Sequence, residues 1–302
     1  MSEPTMAPIL PARRTGPRSA WARLASNPVA LISGGFIVLV MLMGLFSSVL
    51  APYGYNTQNF ALRIAPPQAH HWLGTDDLGR DQLSRLIYGA GISLGVAVSV
   101  VGLEVLVGVG LGLVAGYYRG RADTALMRLT DVVFAFPDIL LAILLASIVR
   151  SGIQSLPASV SILTLVVALG VVGWPGMARL VRGQALMLRE KEFIEASRAI
   201  GVRDRDILWR HMLPNMLSPI IVQLTQDIAN VILAEAILSY LGLGVPFPYP
   251  SWGRMIHDAL PFQQAHPLLL VVPCLALAFT VMAFNFFGDA LRDALDPRHQ
   301  DG

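Results

Sequence analysis

The chain has 302 residues, 54% of them hydrophobic and only 14% charged, with a mean hydropathy of +0.60, which excludes an ordinary soluble domain. A formal net charge of +2, from 22 basic and 20 acidic residues, argues against a bulk anionic partner such as nucleic acid. The single cysteine, Cys274, excludes an intrachain disulfide framework and a cysteine-rich metal site, and its apolar flanks mark it as a small buried hydrophobe.

Residues 1–27 form an N-terminal tail rich in Pro, Ser and Ala, with Arg13, Arg14, Arg18 and Arg23 ahead of the first apolar run. That run, 29–50, is too long for a signal-peptide core and reads as a retained first span, followed by a polar segment that ends at residue 86. Residues 87–290 hold five further spans, at 87–118, 125–149, 158–181, 217–240 and 267–287, and 291–302 form a polar tail. In the second span Gly108, Gly112 and Gly116 recur every fourth residue, a smooth helical stripe on which a neighbouring backbone packs closely. Pro137, after Phe136, predicts a kink or a change of direction in the third. Sixteen basic residues fall on the segments assigned to the inner face and five on the outer ones, which places both termini inside.

The longest stretch that cannot sit in lipid is 192–215, EFIEASRAIGVRDRDILWRHMLPN. Its pattern predicts a short amphipathic helix stopped by Gly201, then a second helical run over 206–213 closed by Pro214: a helix, a bend and a helix, shaped for docking. The chain contains no motor of its own. A phosphate-binding loop needs a lysine after a glycine, and the only lysine, Lys191, stands between Glu190 and Glu192. No cofactor or metal is assigned to the chain.

Glu195-Ala196-Ser197, then Gly201, His211 and Leu213-Pro214, closely resemble in spacing the EAA motif of membrane subunits of ATP-binding-cassette importers. Ser197 stands where the motif has alanine and His211 where it has isoleucine. Residues 73–94 (LGTDDLGRDQLSRLIYGAGISL), 238–256 (LSYLGLGVPFPYPSWGRMI) and 284–298 (FNFFGDALRDALDPR) look like the C-type permease of the dipeptide, oligopeptide and nickel uptake systems. The resemblance implies an all-α polytopic membrane protein of the type I importer permease fold, with six transmembrane helices and a cytoplasmic coupling helix in the 192–215 loop. It implies a bacterial inner-membrane location and a heterodimer with a B-type permease. It also implies two ATPase subunits that carry ATP and magnesium, and a periplasmic or lipid-anchored substrate-binding protein. Glu195, Ala196, Ser197, Gly201, His211, Leu213 and Pro214 would form the contact with the ATPases.

Charged residues inside the apolar runs cost roughly 2.5–3.5 kcal/mol each on insertion scales, so they face protein or water. Glu104, Asp227 and Glu235 either line a translocation path that handles a peptide amino terminus or a cation, or hydrogen-bond to neighbouring helices. Asp227 and Glu235, eight residues apart, lie within about 80° on one helix. Arg128 and Asp131, at i and i+3, read as a local pair, and Thr75 or Asp76 as the N-cap before DLGRDQLSRL. The adjacent His70 and His71 diverge on an extended loop and do not make a nickel site. Trp252, in a loop stiffened by Pro246, Pro248 and Pro250, either rests at the outer interface or closes the pathway.

The function these features support is a permease subunit, not an enzyme, that imports di- or oligopeptides, with nickel or glutathione as alternative cargo. A gradient-driven carrier or channel would instead use Glu104, Asp227 and Glu235 as an ion relay. A membrane enzyme lacks any Ser/His/Asp constellation in the sequence.

Overall fold

The computed structural model describes residues 20–152 and 157–295. Arg13, Arg14 and Arg18, residues 153–156 and residues 296–302 with Arg298 lie outside the described residues.

The chain opens with α1 (Ala20–Ser26) and α2 (Pro28–Leu45). Asn27 caps α2 by accepting from the backbone N–H of Val29 (2.9 Å) and Ala30 (3.3 Å), and Pro28 takes the first helical position, where its missing N–H costs nothing. A short α3 (Ser47–Leu50) leads to an irregular stretch that folds back along the bundle end. Then come α4 (Gln82–Tyr118), α5 (Gly120–Phe134), α6 (Asp138–Gly152) and α7 (Ala158–Arg189). The connecting elements α8 (Glu192–Ala199) and α9 (Asp204–Asp206) follow. A π-helical turn (Ile207–Met212) runs into α10 (Leu213–Tyr240), and α11 (Trp252–Ala259) and α12 (Leu268–Leu295) complete the fold. No β-strand occurs among the described residues, only two isolated bridges.

Five helices are long and apolar enough to cross a membrane, and the count is six if the bent pair α5–α6 is one span. That pair turns by 85° at the break that holds Pro137, which has no N–H to continue the ladder and disfavours helix in the residue before it. α2 buries little of its surface and leaves Ile32, Leu39 and Leu45 more than half exposed, the pattern of a lipid-facing helix.

The best-packed pair is α4 with α7, and the glycine stripe is the reason. A Cβ at Gly108 would meet the Met177 side chain at 2.7 Å, one at Gly112 the Ala178 carbonyl at 2.5 Å, and one at Gly116 the Ala185 Cβ at 2.5 Å. With no solvent to drive association, two helices in lipid gain stability from such close backbone contact.

Three local expectations are corrected. Pro214 does not close the second run: it sits in the first turn of α10, where no intrahelical donor is lost, and the wide π turn before it lets the helix continue. The cap of α4 is Asp81, accepting from Ser84 N–H at 2.7 Å, while Asp76 receives the N–H of Leu78 and Arg80 inside the preceding turn. Asp131 pairs not with Arg128 but with Arg179 of α7 at 2.7 Å, and the Arg179 guanidinium lies over the Phe134 ring.

Candidate functional site

The 192–215 segment is held at one end of the bundle by a small hydrophobic core and one tyrosine. Ile194 is fully buried on the underside of α8, among Leu113, Tyr117, Val181, Ile207 and Met212. The opposite face leaves Phe193 42% and Ile200 81% exposed, so an amphipathic helix offers an apolar ridge outward. α8 ends in a Schellman motif. Gly201 at φ +79° donates its N–H to the Arg198 carbonyl, and the N–H of Val202 reaches the Ser197 carbonyl, both at 3.0 Å.

Tyr117, at the last turn of α4, joins four elements. Its hydroxyl donates to Asp204 at 2.7 Å and accepts from Arg198 Nε at 3.4 Å, its ring underlies the Arg198 guanidinium, and its carbonyl accepts from Arg189 at 2.6 Å. These contacts tie together the end of α4, the end of α7, α8 and α9. Sequence reasoning missed Tyr117, Arg189 and Asp204, because their roles arise only when helices distant in sequence meet.

Of the motif residues, Glu195 and Ala196 are exposed on α8, and Ser197 turns its hydroxyl back to the Phe193 carbonyl at 2.7 Å. His211 lies in the π turn, its carbonyl accepting from the Asn215 side chain at 2.6 Å, and Leu213 packs partly against the Ile194 cluster.

A second feature lies within the span region. α4, α6, α7 and α10 border an open cleft with a cavity volume of about 340 Å³, lined by Glu104, Asp138, Gly173 and Asn230 among apolar side chains. Glu104 reaches it from α4 and is 4% exposed. Asp227, one turn from Asn230 on α10, lies close enough to repel Glu104 and is itself held by the Gln223 amide at 2.9 Å.

Glu235 and Trp252, read from sequence as pathway candidates, lie elsewhere. Glu235 is fully buried and accepts from Ser239 (2.6 Å), Ser251 (2.8 Å) and Ser93 (3.4 Å), which ties α10 to α4 and to the start of α11. Trp252 is fully buried rather than placed at an interface: its backbone N–H donates to Ser93 and its indole N–H to the Leu86 carbonyl, both at 3.1 Å. Both residues lock the end of the bundle opposite Tyr117.

That end also carries a buried ionic cluster. Arg80 and Arg85, 1% and 2% exposed, share Asp76 at 2.7 and 3.4 Å, and Asp258 accepts from Arg85 at 3.3 Å and from Arg254 at 2.8 Å. The Arg80 guanidinium lies over Phe247, and His71 pairs with Asp81 at 2.8 Å, which occupies one of the two adjacent histidines. Burial and the neighbouring Asp76 push the Asp77 carboxyl above its ordinary pKa.

Comparison with known proteins places this architecture. The family model described as binding-protein-dependent transport system inner membrane component matches residues 108–301, and that of the N-terminal TM domain of oligopeptide transport permease C matches 18–67. The chain is 40% identical over 281 residues to the oligopeptide transport system permease protein OppC of Bacillus subtilis, covering 93% of this chain and 89% of that protein. It is 41% identical over 286 residues to the glutathione transport system permease protein GsiD of Pectobacterium atrosepticum, covering 94% and 92%. It is also 40% identical to the dipeptide transport system permease protein DppC of B. subtilis over 282 residues, 93% and 85% of the two chains. In fold it is similar to the inward-facing MetNI methionine ABC transporter, with a TM-score of 0.57 at 19% identity over 70% of this chain and 97% of that one. With family models and full-length relatives in agreement, the chain belongs to the family of inner-membrane components of binding-protein-dependent transport systems.

Proposed function

We propose that this chain is the C-type permease subunit of an ATP-driven importer of short peptides and that mechanical work enters it through 192–215. The observation that carries the reading is the outward apolar ridge of α8, Phe193 and Ile200, on a block locked by Ile194 and Tyr117. A partner gripping that ridge moves the ends of α4 and α7 with it, as coupling between two states requires. Glu195, Ala196, Ser197, Gly201, His211, Leu213 and Pro214 form this contact and its frame. ATP and magnesium belong to two partner ATPases, since the chain has no phosphate-binding loop. A B-type permease supplies the other half of the pathway, an external binding protein delivers cargo, and both termini face the cytoplasm.

Short peptides are favoured because relatives named for oligopeptides and dipeptides match over nearly the whole chain. The 41% identity to a glutathione permease supports a second reading, glutathione, itself a small peptide-like thiol. Reconstituting the four-subunit complex with its binding protein in vesicles tests the function. Uptake of labelled tripeptide or glutathione should require ATP and every subunit. Uptake by the chain alone that follows an ion gradient without ATP would establish a carrier instead.

A further inference from the structure

We propose that Glu104 reads the primary ammonium group of the cargo inside the cavity between α4, α6, α7 and α10, and so sets part of the specificity of the membrane subunit itself. This rests on the importer reading and names the chemistry that one wall of its pathway selects.

The two buried glutamates of the spans make the contrast. Glu235 is saturated by three serine hydroxyls, whereas no hydrogen bond to the Glu104 carboxylate is found among the described residues. Yet Glu104 is 4% exposed and lines the cavity. A buried carboxylate with no partner is costly, and the cost falls when a cation arrives.

The chain makes room for the group without supplying that cation. At Gly173, on α7, any Cβ would occupy the space of the Glu104 carboxylate, so this glycine holds the pocket open for it. No lysine, arginine or histidine lines the cavity among the described residues; its other polar walls are Asp138, at the start of α6, and Asn230. Asp227 on α10 adds negative potential nearby. The charged groups that line the site, Glu104 and Asp138, are both acidic, and the occupant it favours is a cation.

Size and lining narrow the class. A volume of about 340 Å³ lies at the small end of ligand sites, and Ile139, Leu169, Val172 and Val231 give it apolar walls. A short peptide with a free amino terminus carries an ammonium beside small apolar side chains and matches both. A hydrated metal ion does not match the apolar walls.

The test compares uptake of trialanine, N-acetyl-trialanine and N-acetyl-Ala-Ala-Lys by the full complex in vesicles, with wild type and Glu104→Gln. One binding protein serves both, so its own preference cancels. Wild type should prefer trialanine, and Glu104→Gln should lower the free-to-acetylated ratio by about tenfold. Gly173→Ala, which displaces the carboxylate, should lower the ratio too, and Glu104→Asp should restore most of it. Recovery of preference with the lysine peptide would assign the site to any primary ammonium, within the proposal; discrimination against it would assign the α-amino terminus. An unchanged ratio in assembled Glu104→Gln complex overturns the proposal. So does loss of assembly with an unchanged ratio in what remains, which would make Glu104 a subunit contact. If wild type shows no ATP-dependent peptide uptake, the importer reading fails and the inference with it.

Discussion

Tyr117 carries more of the candidate coupling block than any motif residue, because one hydroxyl serves both Arg198 of α8 and Asp204 of α9. Tyr117→Phe keeps the ring under Arg198 and removes only the hydroxyl, at a cost of about 0.5–1.5 kcal/mol. The expected outcome is less cargo moved per ATP hydrolysed, with both rates measured on the same vesicles; an unchanged ratio would remove Tyr117 from the lever. Gly201 acts through the backbone alone. A Cβ there meets nothing within 4 Å, so Gly201→Ala carries only the left-handed penalty of about 1–2 kcal/mol. Gly201→Pro also loses the N–H to Arg198 and cannot adopt positive φ, and it should uncouple hydrolysis from uptake. Glu235 is the counterpart of Glu104 with a different role. Glu235→Gln places an extra donor among three serine hydroxyls, so it should lower the thermal midpoint of the complex without altering the free-to-acetylated cargo ratio.

At the scale of elements, the α4–α7 contact is the spine of the bundle, and its tolerance is small. Gly112→Val would drive methyl groups against the Ala178 carbonyl and the Val181 side chain, and overpacking of this kind costs typically about 1–3 kcal/mol. A lower thermal midpoint in detergent checks it, and an unchanged one would show that the two helices separate freely. The opposite end is held by charge. Asp258→Asn removes the carboxylate shared by Arg85 and Arg254, and breaking a buried pair costs up to about 3–5 kcal/mol. Asp77 sets a modest pH dependence there. Its carboxyl titrates higher folded than unfolded, so its contribution is full below the unfolded value near 4 and is lost as pH rises through the folded one. Asp77→Asn should therefore flatten the fall in thermal midpoint above pH 4.

At the scale of the whole molecule, Glu235, Trp252 and the arginine cluster hold one end by hydrogen bonds and ion pairs and the Tyr117 network holds the other, with the cleft between them. The purified chain should hydrolyse no ATP; hydrolysis at the rate of the assembled complex would overturn its role as a subunit driven by others. The amino-acid sequence by itself determined the spans, the glycine stripe, the break at Pro137 and the helix stop at Gly201. Each rests on composition, period or backbone stereochemistry within one stretch of chain. Partners were not legible that way. Asp131 chose Arg179 over the nearer Arg128, and of two span glutamates written in similar apolar contexts one received three serines and the other a cavity. Those outcomes depend on which residues of other helices arrive within about 3 Å of a polar group, and only the packing of the bundle decides that.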